Sequence, residues 1–312
     1  MIATLPEIES PNRRQQSAVV AGLTAVSKSY GPVKALRNVD FSVRAGELVA
    51  LLGPNGAGKT TAVKLLLGLA QPGAGTVRVF GGNPVHPAVR MRIGAMLQVG
   101  KVPETLRVRE HIRLFSSYYP RPLPLERSLA VAGLESIKNR KFGELSGGQR
   151  QRVLFALAVC GDADILLLDE PTVGMDVEAR RMLWEQIRGL VAQGKTVLLT
   201  THYLEEADAL ADRVVVINKG SIIAAGTPAE IKSQTAGRTI RCVTRLAVEE
   251  VRMLPGVREV CRDREALEIQ AVEAEPVVRE LLLRDRGLSS LEVSSAGLED
   301  AFLALTQETG NA

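Results

Sequence analysis

Tryptophan and cysteine are scarce in this chain of 312 residues, and long apolar runs are missing. It contains one Trp and three Cys, at Cys160, Cys242 and Cys261. An odd number of cysteines without metal-ligand spacing excludes a disulfide framework and a zinc site, and is typical of thiols in a reducing cytoplasm. No run of 18 apolar residues occurs, so we expect no membrane-spanning helix. Residues 1–17 lack an apolar core, so we expect no secretory signal there.

Acidic residues are the minority overall, but not at the end of the chain. Residues 1–240 contain 30 Lys and Arg against 21 Asp and Glu, whereas residues 241–312 contain nine Arg, no Lys and 14 Asp and Glu. This asymmetry predicts two units with different surfaces. A basic first unit is compatible with nucleic acid, anionic lipid headgroups or nucleotide phosphates, and charge alone does not choose among them.

A glycine-rich loop is the strongest local signal. It follows the apolar run Leu48–Leu52, which is predicted to be a buried strand, and precedes a helical pattern with Val63 and Ala70 on one face. Its glycines allow several backbone N–H groups to point at one phosphate, Lys59 adds a full charge, and the Thr60 hydroxyl is suited to Mg²⁺. The predicted nucleotide-binding residues of this region are Gly53, Pro54, Asn55, Gly56, Ala57, Gly58, Lys59, Thr60 and Thr61.

Polar residues end three other apolar runs. Gln98 follows Ile93–Leu97, Asp169 and Glu170 end a second run, and His202 follows a third. Strands that alternate with helices and are apolar on both faces predict a parallel sheet covered on both sides. The carboxyl ends of such strands meet at one edge, so these side chains should border one crevice. Buried carboxylates need a partner there; Mg²⁺ and a reacting water would supply it, and an arginine is the alternative for Glu170 alone.

The segment from about residue 99 to 145 has a different character, being helical and rich in Arg and Lys. Its aromatic residues Phe115, Tyr118 and Tyr119 could stack on nucleic acid, but their spacing favours a helix face packed against a core. The glycine turn at Ser146–Gln149 then opens another helix, and its N-terminus is a second anion site.

These motifs resemble the ATP-binding cassette family, the ATPase subunits of ABC transporters, over about residues 19–235. Gly53–Thr60 looks like the Walker A loop, and Ile165–Asp169 looks like Walker B. Glu170 matches the catalytic glutamate that follows Walker B. Leu145–Gln149 matches the signature sequence, which separates this family from other P-loop proteins.

Three further motifs occur in the family's order. Gln98 matches the Q-loop, Gly174–Asp176 the D-loop and His202 the switch histidine. Tyr30 matches the A-loop aromatic. Two residues depart from the pattern. Met175 replaces the usual leucine of the D-loop, which conserves volume. Arg107 stands where a capping Ser or Thr is common, which affects only the start of the next helix.

The resemblance implies an α/β fold: a P-loop NTPase core of the ABC type with a mostly parallel sheet, an antiparallel β subdomain and a helical insert, followed by a small C-terminal α+β domain. We expect a disordered leader at residues 1–18, an ATP-binding domain at 19–233 with the insert at about 99–145, and the accessory domain at 234–312. The accessory domain could mediate dimer contact or regulation, or simply stabilise the protein.

The resemblance also implies residue roles. Tyr30 stacks on adenine, the Gly53–Thr60 loop holds the phosphates of ATP, Glu170 polarises the attacking water, and His202 contacts the γ-phosphate. The residues expected to hold Mg²⁺ are Thr60, Gln98 and Asp169. The signature loop of a second copy is expected to close over this site, with its Ser146 and Gly148 on the γ-phosphate. Gly147, Gln149 and Asp176 are further expected nucleotide-binding residues.

The implied assembly is a head-to-tail homodimer that sandwiches two ATP molecules and works on a separate membrane permease. It would be peripheral on the cytoplasmic side of the cell membrane, and soluble when isolated. Export is implied because Gly297–Leu305 is similar to the end of drug- and polysaccharide-export cassettes. The alternative is a cassette ATPase acting on ribosomes or DNA, whose members usually carry two cassettes, coiled coils or zinc cysteines. A non-catalytic sensor is disfavoured because Glu170 and His202 are both present, and no nucleic acid is expected.

Overall fold

The computed structural model describes residues 18–98, 102–234, 238–295 and 298–308. Most of the expected leader and the first residues of the expected insert therefore lie outside the described residues. The chain divides into two compact units, with the boundary between Ala225 and Gly226. Within the described ranges, every helix is too short or too polar to cross a bilayer.

The strands of the first unit build two sheets. They are β1 (Val19–Tyr30), β2 (Val33–Arg44), β3 (Leu48–Leu52), β4 (Ala74–Val79), β5 (Ile93–Met96), β6 (Ile165–Asp169), β7 (Thr196–Thr201), β8 (Arg213–Asn218) and β9 (Ser221–Gly226). One sheet is antiparallel, with the order β2-β1-β4. The other has the order β5-β6-β7-β3-β8-β9, and its pairs from β5 to β8 are parallel.

The central strands of the parallel sheet are buried on both faces. Every residue of β3, β6 and β7 is buried, which explains their nearly continuous apolar sequences. Register pairs Leu52 with Thr201 and Asp169 with Thr200, so the carboxyl ends of the three strands lie side by side. The loops that follow them are therefore brought to one edge of the sheet.

The helices of the first unit cover this sheet and form the insert. They are α1 (Lys59–Leu66), α2 (Pro87–Arg90), α3 (Val108–Ser116), α4 (Leu125–Val131), α5 (Gly147–Val159), α6 (Val177–Ala192) and α7 (Leu204–Leu210). Helix α1 is shorter than predicted and Ala70 lies beyond it, because Gly68 adopts a φ of +65 where a Cβ would meet Pro84. Helix α3 starts without a Ser or Thr cap, since Glu110 accepts a hydrogen bond from the Arg107 N–H.

The second unit is a small antiparallel sheet with helices. It contains α8 (Pro228–Gln234), β10 (Arg238–Val243), α9 (Val248–Arg252), β11 (Val257–Asp263), β12 (Ala266–Ala271), α10 (Ala274–Arg284), β13 (Ser289–Ser295) and α11 (Leu298–Glu308). The strand order is β11-β12-β10-β13, which with the βαββαβ succession gives a ferredoxin-like arrangement. Helix α8, which the sequence suggests as the end of the first domain, falls in this unit and packs against α11.

Candidate active site

A cavity of about 500 Å³ lies at the carboxyl ends of the central parallel strands. The loops after β3, β6 and β7 all contribute to its wall, as the strand order requires. The lining residues are Val33, Ala35, Asn55, Gly56, Gly58, Lys59, Thr60, Thr61, Gln98, Glu170, Val173, His202 and Tyr203.

Two glycines of the loop after β3 cannot be replaced without rebuilding it. A Cβ on Gly53 would lie 2.3 Å from the Ile217 carbonyl oxygen. A Cβ on Gly58 would lie 2.5 Å from the Ala35 carbonyl oxygen, and Gly58 also has a φ of +112. Glycine is therefore what lets the loop turn into α1 while it touches β2 and β8.

Lys59 is a buried cation at the mouth of this loop. Its side chain is 5% exposed, and its Nζ donates to the carbonyl oxygens of Gly53 at 2.7 Å and Pro54 at 3.2 Å. The same Nζ lies 3.5 Å from Glu170 Oε1. The positive charge is thus held beside the loop whose backbone N–H groups would meet a phosphate group.

Asp169 ends β6 with one oxygen fully engaged and the other unpaired. Its Oδ1 accepts from Thr200 Oγ1 at 2.5 Å and from Thr60 Oγ1 at 3.3 Å. Its Oδ2 is buried and has no hydrogen-bond partner in the described part of the chain. A buried carboxylate oxygen with free lone pairs, beside a hydroxyl group, is a donor set that suits a hard cation such as Mg²⁺.

Glu170 faces the cavity because the backbone changes direction after Asp169. Glu170 has a φ of +51, and its N–H donates to the carbonyl oxygen of Thr200 at 3.0 Å. Its Oε2 accepts from Gln98 Nε2 at 3.1 Å, and its Oε1 lies 3.3 Å from His202 Nδ1. The carboxylate, at 8% exposure, is therefore surrounded by Lys59, Gln98 and His202.

Other predicted site residues lie outside the cavity lining. Tyr30 is 48% exposed at the end of β1, with Lys28 Nζ 5.1 Å from its ring centroid. Ser146 is exposed and caps α5, where its Oγ accepts from the Gln149 N–H at 3.3 Å. Asp176 caps α6 through the Ala179 N–H at 2.8 Å. One chain therefore assembles only one side of the expected site.

Some polar residues of this region carry weak sequence signals. Thr200 bonds both Asp169 and the Glu170 backbone, and its only signal is a hydroxyl in a buried apolar strand. Tyr203 lines the cavity next to His202. Glu206 stands in the first turn of α7, where an acid suits the helix N-terminus, and its side chain is fully buried against Trp184.

Comparison with known proteins gives consistent results. The family model described as "ABC transporter" matches residues 36–173. The Nod factor export ATP-binding protein I of Burkholderia orbicola (strain AU 1054) is 40% identical over 293 residues, which is 90% of this chain and 95% of the relative. The protein of the same name from Ralstonia nicotianae (strain ATCC BAA-1114 / GMI1000) is 37% identical over 304 residues, covering 93% and 94%.

Solved structures agree with the sequence relatives. The structure of an ATP-binding subunit of an ABC transporter superimposes with a TM-score of 0.63 and 30% identity, covering 69% of this chain and 92% of that one. A cassette solved as a dimer in a post-hydrolysis state with ADP and Pi has a TM-score of 0.62 and 27% identity, covering 66% and 98%.

Proposed function

This chain belongs to the ATP-binding cassette family of ABC transporters, and from that premise we propose that it is the ATP-hydrolysing subunit of an exporter with a separate membrane permease. The observation that carries the proposal is the cluster at the sheet edge, where Lys59 and His202 both approach Glu170 within 3.5 Å. The name of the relatives that match nearly the whole chain supports the direction of export.

Because members of this family bind ATP, we assign the loop after β3 to the phosphate groups of ATP. Lys59 is bonded to two backbone carbonyl groups, and phosphate oxygens would replace these neutral partners with charged ones. The N-terminus of α1, directly after Gly58, adds a partial positive charge. Loop residues from Gly53 to Thr61 would hold the phosphates, and Tyr30 would stack on adenine.

The residues that would hold Mg²⁺ are Thr60, Gln98 and Asp169. Bound there, the ion would neutralise phosphate charge. The unpaired Oδ2 of Asp169 supports this assignment. The amide nitrogen of Gln98 donates to Glu170, which leaves its amide oxygen for the ion.

Hydrolysis would depend on the placement of Glu170. Its carboxylate is positioned from two sides, and one oxygen would accept the proton of an attacking water. Lys59 and His202, which already flank it, would stabilise the charge that develops on the transferred phosphoryl group.

A second copy of the chain would complete each site, because Ser146 and Gly147 are exposed and lie outside this cavity. The proposed dimer is head-to-tail, with Ser146 to Gln149 of one copy closing over the Lys59 loop of the other, and Asp176 at the same interface. Solved relatives that are dimeric support this arrangement.

The protein would act at the cytoplasmic face of the membrane, bound to the permease. On α3 and just after it, Leu114 is 41% exposed and Tyr118 is 64% exposed. Phe115 and Tyr119 are half-buried, and the Tyr119 hydroxyl donates to the Ile93 carbonyl oxygen at 3.3 Å, so they are poorly placed to stack on bases. These contacts favour a protein partner over nucleic acid.

The experiment that tests this function measures ATP binding and hydrolysis in the full chain. Glu170→Gln should keep ATP binding and reduce hydrolysis by roughly 10²–10⁴-fold, because the water loses its proton acceptor. Lys59→Ala should instead weaken ATP binding itself. Near-normal turnover in Glu170→Gln would contradict the assigned base, and absence of ATP hydrolysis in the native chain with its permease would contradict the function.

A further inference from the structure

The contact surface between helices α6 and α7, which we call the seam, connects two regions of the active site. Helix α6 begins directly after Asp176, and α7 begins two residues after His202. Residues four apart along α6, namely Arg180, Trp184 and Arg188, form one stripe on the helix surface. All three contact α7 or the residues immediately before it.

The central contact of the seam is buried. The Trp184 indole N–H donates to Glu206 Oε1 at 3.1 Å, with Trp184 8% and Glu206 0% exposed. One turn earlier on α6, Arg180 Nη1 lies 3.7 Å from Glu205 Oε2, and the Arg180 guanidinium lies 4.9 Å from the Tyr203 ring centroid.

Glu206 is an unusual residue for a simple packing contact. Its second oxygen, Oε2, is buried and has no hydrogen bond of good geometry within the described residues, although the Thr172 and Thr201 hydroxyl groups lie close to this carboxyl. Burial raises the pKa of this carboxyl, and the nearby Thr201, Trp184, Thr172 and Arg180 only partly oppose that rise. A buried acid costs more than an apolar side chain would, so its presence calls for a reason beyond stability.

The seam lies next to His202, because Tyr203 at its end contacts the His202 ring. The His202 and Tyr203 rings are in contact, with centroids 4.2 Å apart, and the Tyr203 N–H donates to Thr201 Oγ1 at 2.9 Å. On its other side, His202 Nδ1 lies 3.3 Å from Glu170 Oε1. His202 is therefore held between the seam and the carboxylate that faces the cavity.

We propose that Glu206 is a positioning residue that, through Trp184, fixes α7 against α6 and thereby holds His202 beside Glu170. This inference rests on the proposed ATPase function and goes beyond it. It makes the position of His202 depend on the Asp176 end of α6, which would face the second copy of the chain.

The first test compares hydrolysis rates in full-length variants. Trp184→Phe keeps an aromatic ring but removes the N–H, and Glu206→Leu removes the carboxyl at similar volume. Each should lower kcat about 10-fold, with KM for ATP changed less than about 2-fold, because a reacting group is misplaced while binding is kept. Glu206→Gln should restore kcat to within about 3-fold of native, because its amide oxygen still accepts from Trp184.

The decisive comparison is made in a His202→Ala background. If the seam acts through His202, Trp184→Phe should then reduce kcat by less than about 2-fold further. The matched control is Ser128→Ala, which removes one buried hydrogen bond in α4, away from the seam, and should leave kcat at the native value. Full additivity of the Trp184 and His202 effects would overturn the proposal.

A second readout is independent of turnover. Trp184 is the only tryptophan of the chain, so its fluorescence reports the seam directly. Mg·ATP added to Glu170→Gln should change the emission, and Glu206→Leu in that background should abolish the change while binding of a fluorescent ATP analogue persists. Unchanged emission with nucleotide bound would overturn the seam role alone. A native chain without ATP hydrolysis would remove the proposed function and this inference with it.

Discussion

Two consecutive acids, Asp169 and Glu170, contact the adjacent residues Thr60 and Lys59 at the start of α1, although successive residues of a strand point to opposite faces of a sheet. The positive φ of Glu170 breaks that alternation, because it turns the chain immediately after β6 ends. Thr200 on the neighbouring strand fixes the turn by bonding the Asp169 side chain and the Glu170 backbone. Uncommon backbone geometry of this kind is maintained where the surrounding structure requires it, as at a reacting centre.

A second residue with an unusual environment is His111 on α3. It is fully buried, its Nε2 donates to the Pro103 carbonyl oxygen at 2.9 Å, and its ring meets Phe142 edge-on with centroids 5.6 Å apart. Its Nδ1 has no hydrogen-bond partner among the described residues. Burial lowers the pKa of His111, and the Pro103 carbonyl and the Glu110 charge oppose this only in part.

We therefore expect the free energy of unfolding to fall as the pH drops below about 6.5. In that range the unfolded chain binds a proton on this imidazole while the folded chain does not, so protonation favours unfolding by up to about 1.4 kcal/mol per pH unit. Urea unfolding at pH 7 and pH 5.5 measures the loss. His111→Gln should make the loss smaller, whereas His86→Gln, at an exposed position, should not. Equal losses in native protein and His111→Gln would refute the assignment.

Individual site residues can be predicted from the sequence where their motif is contiguous in the chain. The spacing of Gly53, Gly58 and Lys59 alone predicts the phosphate loop, because its chemistry depends on neighbours in the chain. Glu206 and Thr200 could not be found in this way, since their partners Trp184 and Asp169 lie 22 and 31 residues away. Such pairs become visible only when the sheet order is known.

At the element scale, the predicted α/β class is confirmed by similarity to solved ABC cassettes. Continuous apolar runs predicted β3, β6 and β7, because burial on both faces leaves a strong signal. Strand β11 leaves no comparable signal in the sequence, because only Val260 of its seven residues is buried. Residues 99–101 and 296–297 lie outside the described part of the chain, so the start of the insert and the Gly297 end of the tail motif stay predictions.

The insert helix α3 has an exposed apolar surface near its C-terminal end. Leu114 and Tyr118 are exposed near its C-terminal end, whereas Val108 and Ile112 on its other face are buried. We expect Leu114→Arg and Tyr118→Ala to abolish co-purification with a co-expressed permease, because an apolar surface loses its contact. Lys59→Ala should keep the complex, which separates docking from ATP binding.

The matched control for this surface is Met253→Arg, which alters an equally apolar residue that is 84% exposed in the second unit. It should leave the complex intact. Retention of the permease by both α3 variants would place the docking surface elsewhere. Tyr119 is a poor choice for this test, because its hydroxyl bonds the Ile93 backbone and its loss would disturb the fold.

At the scale of the whole molecule, the distribution of groups argues for two copies. The Lys59 loop and the Ser146 helix N-terminus both suit phosphate, yet only the first lines the cavity. The exposed Ser146 already satisfies its own helix by bonding the Gln149 N–H, so its contact with a nucleotide requires approach from outside. A dimer with two-fold symmetry makes this pairing twice, because the Lys59 loop of each copy meets the Ser146 helix of the other.

This arrangement predicts complementation between two inactive variants. Lys59→Ala disables the loop and Ser146→Arg disables the closing surface, so each variant alone should show little hydrolysis. In a mixed dimer, however, one site combines an intact Lys59 from one copy with an intact Ser146 from the other. An equal mixture should recover up to about a quarter of native turnover, because half the dimers are mixed and each contains one complete site. If both groups served the same chain, mixing could restore nothing, and activity that stays at the level of the separate variants would rule out a site shared between copies.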